Sequence, residues 1–181
     1  MKTRRSSLVL AILPLSLLGC AGVPSAMPPL SLVDSVDVQR YLGRWYEIAR
    51  FQHGFEKTIV GATAEYSLRP DGRIQVVNSG FKKDLDGPYS EVKAVAWVPD
   101  PGKPGALKVR FFNLFASDYL IFGLDQEGYS WALVGNNSRK YLWFLSRTPM
   151  VPDDLLSKMK GIAAGQGYDL AGLFMVPQKP R

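Results

Sequence analysis

The sequence predicts an all-β domain of eight strands with one helix near its C-terminus. Short apolar, β-branched and aromatic runs recur at 44–52, 61–68, 73–81, 90–98, 106–112, 118–124, 129–136 and 140–147. The breaks between them carry turn chemistry: Asp71-Gly72, Asp86-Gly87-Pro88, Asp100-Pro101-Gly102, Glu127-Gly128 and Asn136-Asn137. Strands at such even spacing build a sandwich or a barrel. A barrel leaves no exposed edge, and eight strands enclose room for one small ligand.

The chain opens with a different kind of segment. Lys2, Arg4 and Arg5 precede an apolar run from Leu8 to Leu18, interrupted only by Pro14 and Ser16. This has the layout of a signal peptide and is too short to span a bilayer. It ends in Leu17-Leu18-Gly19-Cys20, which resembles a lipoprotein processing box. Cys20 is the single cysteine, so no internal disulfide can form, and acylation gives it a role. The resemblance implies more than one acyl chain on Cys20, enough for stable anchoring. Ala21, not Asp, follows, so the expected location is the outer membrane, with the domain facing the periplasm. Loss of residues 1–19 removes three basic residues and no acidic ones, taking the formal charge from +6 to +3. That charge gives no case for nucleic acid. Residues 20–35 hold Pro24, Pro28 and Pro29 and almost no charge, and read as a tether reaching at most about 50 Å. Residues 36–181 form the folded domain.

Within that domain, 36–42 reads as a short helical turn before the first strand. After the eighth strand, Pro152-Asp153-Asp154 starts a helix, with Pro in its first turn and acids at the positive end of the dipole. Leu155, Met159, Ile162 and Ala163 share one face, so the helix packs on the wall of the domain. Gly165 or Gly167 ends it, and a short strand at 172–176 is placed to pair with the first.

Gly43-Arg44-Trp45-Tyr46-Glu47-Ile48-Ala49-Arg50 is answered a hundred residues later by Leu142-Trp143-Phe144-Leu145-Ser146-Arg147-Thr148-Pro149. A Gly-x-Trp opening a strand, with an Arg closing the last one, resembles the lipocalin family, and the wider phrasing is similar to its bacterial outer-membrane branch. The resemblance implies an eight-stranded antiparallel up-and-down barrel with the helix on its outside. It also implies that Trp45 plugs the closed end with Arg147 across its ring, with Gly43 and Asp125 completing the base.

Alternation along each strand, anchored on that tryptophan, then assigns the interior. The inward set is Trp45, Glu47, Ala49 and Phe51 in the first strand and Leu145, Trp143 and Tyr141 in the last. Val92, Ala94 and Ala96 follow from the fourth strand, Leu107, Val109 and Phe111 from the fifth, and Tyr66, Asn78, Tyr119 and Ile121 complete it. The phase of the seventh strand stays open between Trp131 and Ala132. Small residues at 49, 94 and 96 leave volume that a solid core would fill. Glu47, costly there as a free charge, calls for tyrosine or water partners.

No nucleophile elbow, phosphate-binding glycine loop or Cys/His metal set occurs, and His53 is the only histidine. The reading that follows is an outer-membrane-anchored lipocalin that binds, stores or transports fatty acids or lysophospholipids, in service of membrane maintenance. It acts by equilibrium binding, without enzymatic step, metal or cofactor, as a monomer or homodimer. The resemblance supplies the ligand class. Up-and-down topology gathers Lys57, Lys82, Lys83, Arg139 and Lys140 around the mouth as a collar for an anionic headgroup. The rival readings are an enzyme of this fold acting on a lipid or isoprenoid, and a structural lipoprotein with a filled barrel.

Overall fold

Side chains that alternate between two faces of a closed sheet produce two apolar layers, one inside the barrel and one outside, and both are present. The computed structural model describes residues 27–54, 56–112 and 115–179. Cys20 and the signal segment lie outside the described residues. Eight strands run in order around the barrel: β1 (Gly43–Phe51), β2 (Ile59–Leu68), β3 (Ile74–Lys82), β4 (Tyr89–Trp97), β5 (Ala106–Phe111), β6 (Ala116–Leu124), β7 (Trp131–Gly135) and β8 (Leu142–Ser146). Each pairs with the next, β8 returns to β1, and β1 pairs with β2 to close the ring. Of the sandwich and the barrel, the barrel is the structure formed.

The inner layer holds Trp45, Ala64, Tyr66, Val76, Ala94, Ala96, Leu107, Val109, Ile121 and Leu145. Ala132 and Val134 of β7 also belong to it, which fixes the phase left open by the sequence. The outer layer lies beneath helix α2 (Asp153–Gly165) and includes Ile48, Leu133, Phe144, Met159, Ala163 and Tyr168. Asp153 and Asp154 occupy the first turn of α2, and Gly167 follows its end with φ +86°. The segment that follows the helix lies so close that a Cβ on Gly135 would stand 1.9 Å from the Tyr168 hydroxyl oxygen and 2.9 Å from the Tyr141 carbonyl oxygen. Only glycine fits there.

One expectation about the wall fails. Ala49 and Phe51 belong to the outer layer, not the cavity, and Phe51 packs edge-on against Tyr168 at 6.0 Å. The cause is a bulge in β1 between Glu47 and Ala49, where the register with β8 slips. One extra residue reverses the facing of everything beyond it. Arg50, assigned outward by plain alternation, is instead fully buried. Beyond the bulge β1 also exchanges partners. Its first half pairs with β2, whereas Ala49, Arg50 and Phe51 pair with β9 (Leu173–Met175). The last described residues continue this repair of the seam. The Gln178 amide donates to the Glu47 and Ala62 carbonyls at 2.8 and 2.9 Å, and Gly61 N–H donates to the Pro177 carbonyl at 2.7 Å.

The opposite end is shut. Trp45 has no exposed surface, and its indole N–H donates to the Tyr41 carbonyl at 2.8 Å. Tyr41 ends the short helix α1 (Val38–Tyr41), which lies across the base and is capped by Asp37. The Arg147 guanidinium sits 3.8 Å from the Trp45 ring centroid. Its N–H groups donate to the carbonyls of Arg40 (2.7 Å), Arg44 (2.8 Å) and Tyr129 (3.2 Å). Gly43, with φ +86°, lets the chain turn from α1 into β1 beside that guanidinium. Asp125 acts one step removed. Its carboxylate accepts from Gly128 N–H, Ser130 N–H and the Ser130 hydroxyl, bonds that hold its pKa below the usual carboxylate range. It thereby shapes the β6–β7 turn that presents Tyr129 to Arg147.

Because ring and guanidinium share one site, their contributions should not add. Trp45→Ala is expected to cost about 3–5 kcal/mol and Arg147→Ala about 2 kcal/mol. Urea unfolding of both single variants and the double variant should show a coupling of about 1 kcal/mol, so that the double costs less than the sum. Full additivity would mean that the pair contributes nothing as a unit.

Candidate functional site: the cavity of the barrel

The barrel is not filled. Above the base, a chain of hydroxyls forms a polar floor: Tyr41 to Tyr119 at 2.8 Å and Tyr119 to Tyr66 at 2.8 Å. Burial drives all three phenol pKa values upward, so the chain stays neutral. Over it lies a lobe of about 420 Å³ lined by Tyr66, Val109, Phe111, Tyr119, Tyr141, Trp143 and Leu145, among others. A second lobe of about 370 Å³ runs along the inner faces of β2, β3 and β4, past Ala62, Gly80, Val92 and Phe112. Glu47, Glu56, Asn78 and Phe111 belong to the walls of both. Each lobe falls within the range of small-ligand pockets, about 300–1,000 Å³. The cavity reaches the surface among the β1–β2, β5–β6 and β7–β8 connections, through Glu56, Phe112 and Asn136.

Of the residues assigned to the pocket from sequence, Tyr66, Asn78, Val109, Phe111, Tyr119, Tyr141 and Trp143 line these lobes. Ala94, Ala96 and Ile121 face the interior as expected but pack within the core rather than on the open volume. Ala49 and Phe51 are outside, as described above. Of the mouth residues, Lys57, Lys82, Lys83 and Lys140 are exposed on the expected loops. Arg139 is not part of a collar. It is buried, with its Nε donating to the Gln166 carbonyl at 2.9 Å and an Nη to the Asn137 carbonyl at 2.6 Å. The Gln166 carbonyl at the C-terminal end of α2 and the Asn137 carbonyl of its own connection take up this guanidinium.

Alternation along the strands missed the central polar group of the cavity wall. Arg50 donates to the Glu47 carboxylate at 3.0 Å, not the tyrosine or water partner expected for that carboxylate. Its Nη2 donates to the carbonyls of both Glu56 and Ile59 at 2.6 Å each, and Nε stands 3.4 Å from the Glu56 carboxylate. The Trp143 indole N–H donates to that same Glu56 carboxylate at 3.2 Å. One guanidinium thus faces two carboxyl groups. Burial pushes Glu47 up to about 8, Glu56 adds to the rise, and Arg50 opposes it. Burial raises Glu56 as well, against the pull of Arg50 and of the Trp143 hydrogen bond. One signal in the sequence could have found the group. Glu47 and Arg50 are two charges three residues apart inside an apolar strand, where strict alternation would put them on opposite faces.

A β-barrel shut at one end, open at the other and hollow between has the shape of a container. The chain belongs to the lipocalin family: the model of the lipocalin-like domain matches residues 36–178. It is 39% identical over 161 residues to the outer membrane lipoprotein Blc of Vibrio cholerae, covering 89% of this chain and 92% of that protein. It is 41% identical over 156 residues to the protein of the same name in Escherichia coli K12, covering 85% and 87%. Among solved structures, insecticyanin from the tobacco hornworm Manduca sexta superposes with a TM-score of 0.68 over 87% of this chain and 88% of that one, at 17% identity. That likeness shows the fold alone.

Glu47 supplies a pH signature. Its pKa is raised in the folded state, so its contribution to stability is fully present below the unfolded value of about 4.5 and is lost as pH rises through about 8. Glu47→Gln should therefore gain on the wild type between pH 5.5 and pH 8.5, by at least about 1 kcal/mol in urea unfolding. A difference between wild type and variant that stays constant over that interval would show an ionised Glu47 in the native state.

Proposed function

We propose that this protein is an outer-membrane-anchored lipocalin that binds, stores or transports single-chain lipids, fatty acids or lysophospholipids, in its barrel cavity. The observation that carries this reading is the cavity itself, two apolar lobes meeting at Glu47, Glu56, Asn78 and Phe111. An acyl chain gains about 0.8 kcal/mol for each methylene buried, and ordering and association offset several kcal/mol of the total. Micromolar to nanomolar binding follows, with no covalent step. The anchor is Cys20, acylated after removal of residues 1–19, with the domain on the periplasmic side. Relatives bearing the name outer membrane lipoprotein support this location.

Two measurements test the two halves of the proposal separately. Native mass spectrometry of the unacylated domain should find copurifying lipid, and Val92→Trp, which places bulk in the second lobe, should weaken palmitate binding about tenfold or more. Equal affinity in the variant, with no lipid on the purified wild type, would point to a barrel that carries no ligand. Cys20→Ser should prevent lipid attachment, stop processing at that site and deplete the protein from the outer membrane. Retention in the outer membrane at normal levels would remove Cys20 as the anchor.

A further inference from the structure

The N-terminal segment of the described chain crosses the barrel as a strap, and its direction is fixed by bonds. Asp37 N–H donates to the Tyr129 hydroxyl at the closed end. Ser35 is bonded to the Gln126 side chain, and Val33 N–H donates to the Ile121 carbonyl. Leu30 is buried, and its N–H donates to the Asn137 side chain at 2.9 Å, in the β7–β8 connection of the open end. Ser31 N–H donates to Gln166, beyond the end of α2. Followed backwards, the chain therefore climbs from the base and leaves the barrel at its mouth. Residues 20–29 then span at most about 35 Å.

The mouth differs in surface chemistry from the base. Among the described residues the exposed aromatic side chains are Tyr89, Phe112, Phe115 and Tyr141. All four belong to the open-end connections or the strand ends beside them. Phe112 is 73% and Phe115 is 94% exposed. Around them stand Lys57, Lys82, Lys83 and Lys140, and among the described residues none of the four takes part in an ion pair. Asp84 and Asp86 share the β3–β4 connection, but Lys179 engages Asp86 at 3.1 Å. At the closed end the exposed large apolar side chains are the aliphatic Leu68 and Met150, and Arg44–Glu65 and Arg69–Asp71 are ion pairs within the surface.

We propose that the open end of the barrel docks on an anionic lipid bilayer, with Phe112 and Phe115 at headgroup level and the lysines of the mouth against the lipid phosphates. Phenylalanines on an interfacial surface bury at the boundary of headgroups and acyl chains, and lysines near an anionic surface add attraction that salt screens. The strap brings this end to the membrane, on the reading that Cys20 is the anchor. A cavity whose entrance rests on the bilayer exchanges lipid without carrying an acyl chain through water.

The test supplies the anchor chemically, so it does not depend on what the cell does to Cys20. The unacylated chain 20–181 is coupled through Cys20 to a maleimide lipid in vesicles of phosphatidylethanolamine and phosphatidylglycerol. Hydrogen exchange is compared with the same protein capped by a soluble maleimide. Exchange should slow at 83–87 and 115–118 by at least about threefold, and stay unchanged in the closed-end turns 69–73 and 98–105. Protection at the closed end, or at neither end, would overturn the proposal. A variant carrying Phe112→Ser, Phe115→Ser, Lys82→Gln and Lys83→Gln should lose the protection with an unchanged circular dichroism spectrum. Protection that persists in it would remove these side chains as the docking surface. Failure of acylation in cells would count against the anchor at Cys20 and leave the vesicle result standing.

Discussion

At Ile48 the first strand gives up β2 as a neighbour, and Arg50 makes that exchange tolerable. A closed sheet cannot open a gap between two strands without exposing backbone groups in its wall. Here the guanidinium fills the gap, tying the carbonyls of Glu56 and Ile59 to β1, while β9 takes up the freed edge. A buried guanidinium left alone would cost several kcal/mol, which is why Glu47 must stand beside it. The presence of Glu56 as well leaves more carboxyl groups than cation, and one of the two is driven toward its neutral form. The polarity of the cavity wall is thus a by-product of closing the barrel.

The two ends of the molecule solve their polar problems differently. At the base, Arg147 is satisfied by three carbonyls and an aromatic face, with no carboxylate within its bonding set. That arrangement has no titrating partner and depends little on salt. Midway up the wall, the charge on Arg50 is balanced by groups that do titrate. Between them lie three tyrosine hydroxyls that donate and accept among themselves. The floor of the container is therefore fixed chemistry, and its wall is adjustable chemistry.

Most of this was legible in the sequence, and the exceptions share a cause. All eight strands fall within two residues of the runs expected, because turn residues and alternation are local properties. Trp45, Gly43 and Arg147 were recognisable because their roles require those side chains. Ala49 and Phe51 were misplaced because a bulge is set by pairing with β8, which no residue of β1 announces on its own. Arg139 was misread for a similar reason: the loop is where topology puts it, but the nearby end of α2 claims its side chain. Glu56 was missed because it lies in a connection, where periodicity says nothing about facing. Local chemistry was readable, whereas the competition between elements for one side chain was not.

The seam has a consequence for how the molecule comes into being. β1 opens the described barrel, yet its upper edge is completed only by residues 173–179, far later in the chain. Until then the nascent barrel has a slit along one side and an arginine without its final shelter, the ring of Phe174. A wall whose seam joins the first strand to the last closes only when both are in place.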